Sequence, residues 1–293
     1  MMSADYRAGF VMLLTLVVSG GGGIASCGVP ASEKQDFSES EAASVDTEPV
    51  VKKVVPNAVA AEDAALIQFP VISAPTPLPV TGYHDASHVG PSDVNSGAKP
   101  VVVVLHGNFD RPEWQCEMWK DVASWYGWVL CPRGVRTEFA TLREDRWTYK
   151  GGAVAVNREI HAALEALEQK YPNMVSREGM VLVGFSLGAI LLPQVIKLNE
   201  KLFPTVFVIE GGMKQLEWNL PTMKENGVNA IGIAMSLPGN RENAFRIKRK
   251  IIKMGYIYEY VDMQGGGHNY RSDFSTLGRE ALKKMISRNG AAQ

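Results

Sequence analysis

The sequence predicts an α/β fold: a mostly parallel sheet flanked by helices. Three observations carry this. Residues 100–105, Pro-Val-Val-Val-Val-Leu, form a continuous apolar run, which is how a strand covered by helices on both faces reads. Beyond it, strand-like and helix-like patterns alternate almost to the end of the chain, and such alternation builds parallel β-α-β units. Within the alternation, residues 180–189 carry an apolar strand straight into Gly184-Phe185-Ser186-Leu187-Gly188, with a helical pattern directly after it. Strand, sharp turn and helix in immediate succession make a G-x-S-x-G elbow that stands a serine hydroxyl clear of the backbone.

The elements follow in order. Residues 65–72 read as a strand, 75–83 as Pro-interrupted edge structure or loop, and 84–98 as a polar turn region. Proline removes a ladder donor and so belongs at an edge. After the 100–105 strand, residues 114–125 read as a helix, 128–131 as a strand and 153–171 as a long helix. The elbow strand, 180–184, leads into a helix over 187–202 that contains Pro193, expected to cost a backbone hydrogen bond and bend it. Residues 204–210 form a strand, 213–226 an irregular stretch or short helix, and 228–235 a strand. A basic amphipathic helix over 241–254, a strand over 257–263 and a helix over 274–288 complete the chain.

The N-terminal region does not belong to this body. Arg7 precedes an apolar run over 9–18, four glycines at 20–23, and then Ile24-Ala25-Ser26-Cys27. The run is too short to span a bilayer and reads as a secretory signal. Its end resembles the bacterial lipobox, so 1–26 is expected to be a lipoprotein signal peptide and Cys27 the lipidated residue. The acyl chains would bury methylenes in a membrane. Gly28, in place of the Asp that retains some lipoproteins at the inner membrane, favours the outer membrane. Residues 27–61 are acidic, with Phe37 the one aromatic of the stretch. Such a segment cannot bury enough apolar area to offset its ordering entropy, and it reads as a disordered tether to a domain over 62–293.

Cys116 and Cys131 are then an even pair in an exported chain, which points to a disulfide. It would close a loop of about 15 residues, worth ~3 kcal/mol in the chain-entropy view. Two buried free thiols are the alternative. No C-x-x-C or H-x-x-x-H spacing occurs, so no metal site is expected. A net charge of −1, from 30 basic and 31 acidic residues, gives no footprint for nucleic acid. The oligomeric state is not legible.

The chemistry centres on Ser186. His268 follows Gly265-Gly266-Gly267 after the last strand and before the last helix, placed to bring an imidazole over the sheet edge. An oxyanion hole needs two backbone N–H groups. Leu187, directly after the serine, supplies one. The loop His106-Gly107-Asn108-Phe109, after the 100–105 strand, supplies the other through Asn108, with Phe109 as the alternative; His106 reads as a structural anchor of that loop.

Together these residues resemble the α/β-hydrolase superfamily, specifically its small esterase, thioesterase and dienelactone-hydrolase-like members, over about residues 98–288. The resemblance implies an eight-stranded, mostly parallel sheet flanked by helices, with Ser186 as nucleophile, His268 as general base and Leu187 as oxyanion donor. The family's Gly-x-x-Asp pattern puts the acid at Glu242, three residues after Gly239, with Glu in place of Asp. Glu210, ending the strand after the elbow, is the alternative. The expected reaction is hydrolysis of an ester or thioester through an acyl-serine intermediate, with no cofactor and with a small-molecule or short-peptide acyl substrate. The 17 residues between Glu210 and Val228 leave no room for a large lid. The 132–152 loop, with Arg133, Arg136, Glu138, Arg143, Glu144, Arg146, Trp147 and Tyr149, either recognises an acidic or peptide-like group or is an exposed loop with a Trp folded beneath it. An oligopeptidase-like amide hydrolase and a non-catalytic surface-binding lipoprotein of the same fold are the competing readings.

Overall fold

The computed structural model describes residues 73–94, 97–138 and 145–290. The expected signal peptide, Cys27, the tether and the strand over 65–72 lie outside the described residues.

Eight strands form one sheet. In chain order they are β1 (Thr76–Leu78), β2 (Ala86–Val89), β3 (Lys99–Leu105), β4 (Trp128–Cys131), β7 (Val175–Phe185), β8 (Thr205–Ile209), β9 (Ala230–Met235) and β10 (Ile257–Asp262). Their spatial order is β1-β2-β4-β3-β7-β8-β9-β10. β1 and β2 join antiparallel, and all strands from β4 to β10 run parallel. A short hairpin of β5 (Val135–Arg136) and β6 (Trp147–Thr148) stands apart.

Two helical layers cover the sheet. α2 (Gly152–Lys170), α3 (Leu187–Lys197), α4 (Met213–Glu225) and α5 (Pro238–Lys253) pack on one face, and α1 (Pro112–Ala123) and α6 (Phe274–Gly290) on the other. The side-chain alternation of β3 shows why its run is apolar throughout. Val101, Val103 and Leu105 enter the first core, while Val102 and Val104 enter the second. Each such fully buried aliphatic side chain contributes about 1.5–3 kcal/mol. This is the α/β-hydrolase fold, and it sets the C-terminal ends of β3, β7, β8 and, one strand further on, β10 along the same edge of the sheet, where the loops carrying Asn108, Ser186, Glu210 and His268 begin.

Three local expectations are corrected. The segment read as a polar turn holds β2, all four residues of which are buried. Its polarity is internal: one ring nitrogen of His88 meets the Thr76 carbonyl at 2.8 Å and the other the Tyr171 hydroxyl at 2.9 Å. Residues 213–225 are a full helix that accommodates Pro221. It fills the β8–β9 connection, where no large lid was expected. The helix after the elbow ends at Lys197 and keeps Pro193 buried inside it.

Cys116 of α1 and Cys131 of β4 are joined in a disulfide, their Cα atoms 6.0 Å apart. The bond ties α1 to the sheet beside the site.

Candidate active site

The elbow is enforced by close approach. A Cβ on Gly184 would sit 2.6 Å from the Gly188 carbonyl carbon and oxygen, and one on Gly188 would collide with the carbonyl oxygen of Leu105. Between them Ser186 takes φ 50°, ψ −106°, a strained conformation for a non-glycine residue that surrounding structure must hold. The Ser186 N–H donates to the Ile209 carbonyl at 2.9 Å and the Gly188 N–H to the His106 carbonyl at 3.1 Å. The hydroxyl is thus presented at the end of β7 from a turn fastened on both sides.

His268 meets it. Nε2 lies 2.9 Å from Oγ of Ser186. The imidazole side chain is 49% exposed, so the site is open to solvent. The ring packs on Phe185, with centroids 5.4 Å apart, and Tyr270 stacks on the same Phe185 at 5.1 Å.

The carboxylate facing the other ring nitrogen belongs to Glu210: Oε2 is 3.9 Å from Nδ1 of His268. Glu210 directly follows β8, has φ 49°, and its side chain is fully buried. It accepts hydrogen bonds from the Ser236 N–H, from the Leu237 N–H at 3.5 Å and from Asn240 Nδ2 at 3.3 Å. Glu242 is not at this position. α5 begins at Pro238, so Gly239 and Glu242 are already helical, and Glu242 is exposed to solvent. Only Ser236 and Leu237 separate β9 from α5. That connection is too short to carry an acid over the sheet, and its N–H groups clamp Glu210 instead.

Leu187 is the first residue of α3, so its N–H has no partner within the helix. Gly107, Asn108 and Phe109 line a cleft of about 450 Å³ together with Ser186, His268 and Phe185. The Asn108 side chain accepts from the Thr148 hydroxyl at 2.5 Å. His106 is buried, its ring nitrogens 2.7 Å from the Gly107 carbonyl and 2.8 Å from the Arg133 carbonyl, an anchor for this loop as expected.

A directional chain of hydrogen bonds, not anticipated from the sequence, ties this loop to the histidine loop. Trp119 Nε1–H donates to Tyr270 Oη (3.1 Å), Tyr270 O–H to Gln115 Oε1 (2.7 Å), and Gln115 Nε2–H to Asp110 Oδ2 (2.7 Å). Asp110 in turn accepts from the N–H groups of Gly107 (3.2 Å) and Arg111 (2.7 Å). Burial raises the Tyr270 phenol above its ordinary range.

Trp147, Thr148 and Tyr149 of the 132–152 loop are buried. Glu159 of α2 is buried beneath them and accepts from the N–H groups of Arg133 (2.9 Å) and Gly134 (2.7 Å). Desolvation pushes its carboxyl above the usual range. Among the described residues no cluster of His, Cys, Asp and Glu could hold a metal ion.

Fold and site together define an α/β-hydrolase-fold protein with a hydrogen-bonded Ser–His pair at its elbow. No protein-family model and no curated protein sequence matches the chain. Solved structures resemble it at the level of the fold. A carboxylesterase from Bacillus cereus is 14% identical, with 70% of this chain and 93% of that one covered and a TM-score of 0.46. Est1E from Butyrivibrio proteoclasticus is 11% identical, with 74% and 99% covered and a TM-score of 0.49. An acylaminoacyl peptidase from Pyrococcus horikoshii is 12% identical at a TM-score of 0.42, and the match spans 40% of that longer chain.

Proposed function

We propose that this protein is a serine hydrolase that cleaves a carboxylic ester through an acyl-serine intermediate. The observation that carries the reading is the 2.9 Å approach of Ser186 Oγ to His268 Nε2, made from a strained elbow at φ 50°. Nε2 takes the hydroxyl proton as Oγ attacks the acyl carbonyl. The N–H groups of Leu187 and Asn108 receive the developing oxyanion. The imidazolium then protonates the leaving alcohol, and the C–O bond breaks. Water, deprotonated by the same imidazole, attacks the acyl-serine and releases the acid. In this scheme Glu210 is the acid of the triad, orienting His268 and supporting its positive charge. The carboxylate reaches the imidazole from a fully buried position, where its field is least screened.

Turnover of a panel of p-nitrophenyl esters, thioesters and anilides, with Ser186→Ala as control, tests the reading. Ester hydrolysis that disappears in the variant supports it, and equal rates in both proteins contradict it. We further propose that the body is exported and held at a membrane through acylated Cys27. Palmitate incorporation lost in Cys27→Ala would support this, and equal incorporation would refute it.

A further inference from the structure

The helix α5 presents a face that the hydrolytic chemistry does not use. It carries six basic residues, Arg241, Arg246, Lys248, Arg249, Lys250 and Lys253, against one acidic residue, Glu242, in a chain whose net charge is −1. Its buried stripe of Ala244, Ile247 and Ile251 enters the core. Two further apolar side chains, Phe245 and Ile252, stand two turns apart and so on one side of the helix. Each is more than half exposed.

Neighbouring groups show which cations are matched. On the β10 side, Arg241 pairs with Asp262 at 2.8 Å, and Lys248 Nζ lies 5.8 Å from the Tyr258 ring centroid. On the α4 side, Arg246 donates to both carboxylate oxygens of Glu217 (3.0 and 2.7 Å), and Lys250 Nζ reaches the Glu217 carbonyl at 3.4 Å. At 100° per residue, Arg249 and Lys253 fall between these two rows, one turn apart on the outer surface. Both are exposed, and neither side chain meets an acceptor among the described residues. Beside Glu217, Trp218 of α4 is 66% exposed, with Lys214 Nζ 4.6 Å from its ring centroid. Against these cations stand the carboxylates of Glu225 and Glu242, which leaves the surface cationic.

We propose that this face of α5, with Trp218 beside it, rests on an anionic lipid surface. Lysine and arginine attract anionic headgroups, and exposed aromatic and aliphatic side chains among them leave water for the interfacial region. A phosphate backbone of nucleic acid would take the cations but give Phe245 and Ile252 nothing to enter. This contact rests on the membrane-anchor reading above. Cys27 lies far ahead of Ser73, the first described residue, so an acyl anchor does not itself select the face of the body that meets lipid; α5 does. The anchor makes the contact intramolecular, so a weak surface attraction suffices. The site stays free in this orientation. α5 covers one side of the sheet, whereas the Ser186 cleft takes Trp114, Gln115 and Met118 from α1 on the other. A body lying on α5 keeps that cleft open to a dissolved substrate.

Co-sedimentation of the full chain carrying Cys27→Ala, which cannot be acylated at that position, tests the contact apart from the anchor. Vesicles of phosphatidylcholine alone are compared with vesicles that also contain phosphatidylglycerol. The expected result is partition roughly tenfold stronger onto the anionic vesicles at low ionic strength, falling with added salt. Arg249→Glu/Lys253→Glu should lower that partition roughly tenfold, and Phe245→Ala/Ile252→Ala should weaken the binding that survives salt. Lys283→Glu/Lys284→Glu makes the same change of charge on α6 and should stay within about twofold of the parent, because screening confines the attraction to the face that touches lipid. Circular dichroism would check the folding of each variant. Equal partition onto both kinds of vesicle, or equal losses in the α5 and α6 charge variants, would overturn the proposal. So would binding to a DNA duplex without binding to phosphatidylglycerol, which would make α5 a phosphate-backbone site. Palmitate incorporation into the unmodified chain reports separately on Cys27: binding to anionic vesicles without it would remove the anchor and leave this contact standing.

Discussion

Oε2 of Glu210 stands 3.9 Å from Nδ1 of His268, and backbone and side-chain donors on the β9–α5 segment hold that carboxylate in its buried position. The separation is longer than a hydrogen bond. Contacts of this kind are commonly loose in a free enzyme and tighten when substrate is bound. The relationship puts Glu210, on the loop after β8, beside the imidazole, where the proposed mechanism needs its acid, whereas the spacing from Gly239 points to Glu242.

Glu210→Gln should therefore lower kcat by on the order of 10³- to 10⁴-fold, because the imidazole loses its preferred tautomer and charge support. Glutamine retains an oxygen for the Ser236 N–H, so folding should survive, and circular dichroism would check that it has. Glu242→Gln, on an exposed helical turn, should stay within about a factor of two of the unmodified rate. Steady-state kinetics on both variants decides the point, and the reverse pattern would return the acid to α5.

Tyr270→Phe tests the chain of hydrogen bonds between the two site loops. It removes both the donor to Gln115 Oε1 and the acceptor of the Trp119 indole N–H while keeping the ring stacked on Phe185. Stability should fall by about 1–3 kcal/mol, since two hydrogen bonds are lost at one buried hydroxyl. kcat should fall roughly tenfold with KM little changed, because a small misplacement of the oxyanion donors is felt in the transition state and not in the ground state. A lower Tm with an unaltered kcat would reduce the chain to a structural brace.

Reduction of the Cys116–Cys131 bond should cost about 3 kcal/mol of stability, read as a lower denaturant midpoint in the presence of a reductant. Intact mass after alkylation gives a second check. The oxidised native protein should take up no label at these two positions, and two alkylated thiols there would contradict the bond.

His88 supplies a pH dependence with a definite sign. Desolvation lowers its pKa from 6.5 to about 4, so it is neutral in the folded protein where it would be protonated in the unfolded chain. Between pH 6.5 and about 4 the unfolded state binds the extra proton. The stability associated with neutral His88 is thus present above pH 6.5 and is lost as the pH falls toward 4. His88→Gln, which can still meet the Thr76 carbonyl and the Tyr171 hydroxyl, should show a shallower loss of Tm over that window. Parallel Tm curves for the two proteins would refute the assignment.

The parts of the site that were legible in the sequence are those whose constraint is local. Gly184 and Gly188 bracket Ser186 because close approach excludes a side chain, and that requirement is written in five consecutive residues. His268 was legible from its glycine run and its place after the last strand. The carboxylate facing His268 was not, because spacing from a glycine does not say whether that glycine is already helical. Pro238 at the first position of α5 is the signal that bears on this, since proline favours that position. It puts Glu242 in the second turn, facing solvent. β2 was hidden because Ser87 and His88 read as turn residues, although both are buried. The bond between Tyr270 and Gln115 joins residues 155 apart in sequence, and no local pattern announces such a pair. The central parallel strands β3, β4, β8 and β9 left the clearest trace, since they are buried on both faces.

The most direct test of the central claim, that Ser186 is a nucleophile activated by His268, is the site of covalent modification by a fluorophosphonate. The account predicts one adduct per chain, located on Ser186 by peptide mass spectrometry, absent from Ser186→Ala and formed much more slowly in His268→Ala. An unmodified Ser186 after prolonged exposure of folded protein, or full labelling retained in Ser186→Ala, would contradict it.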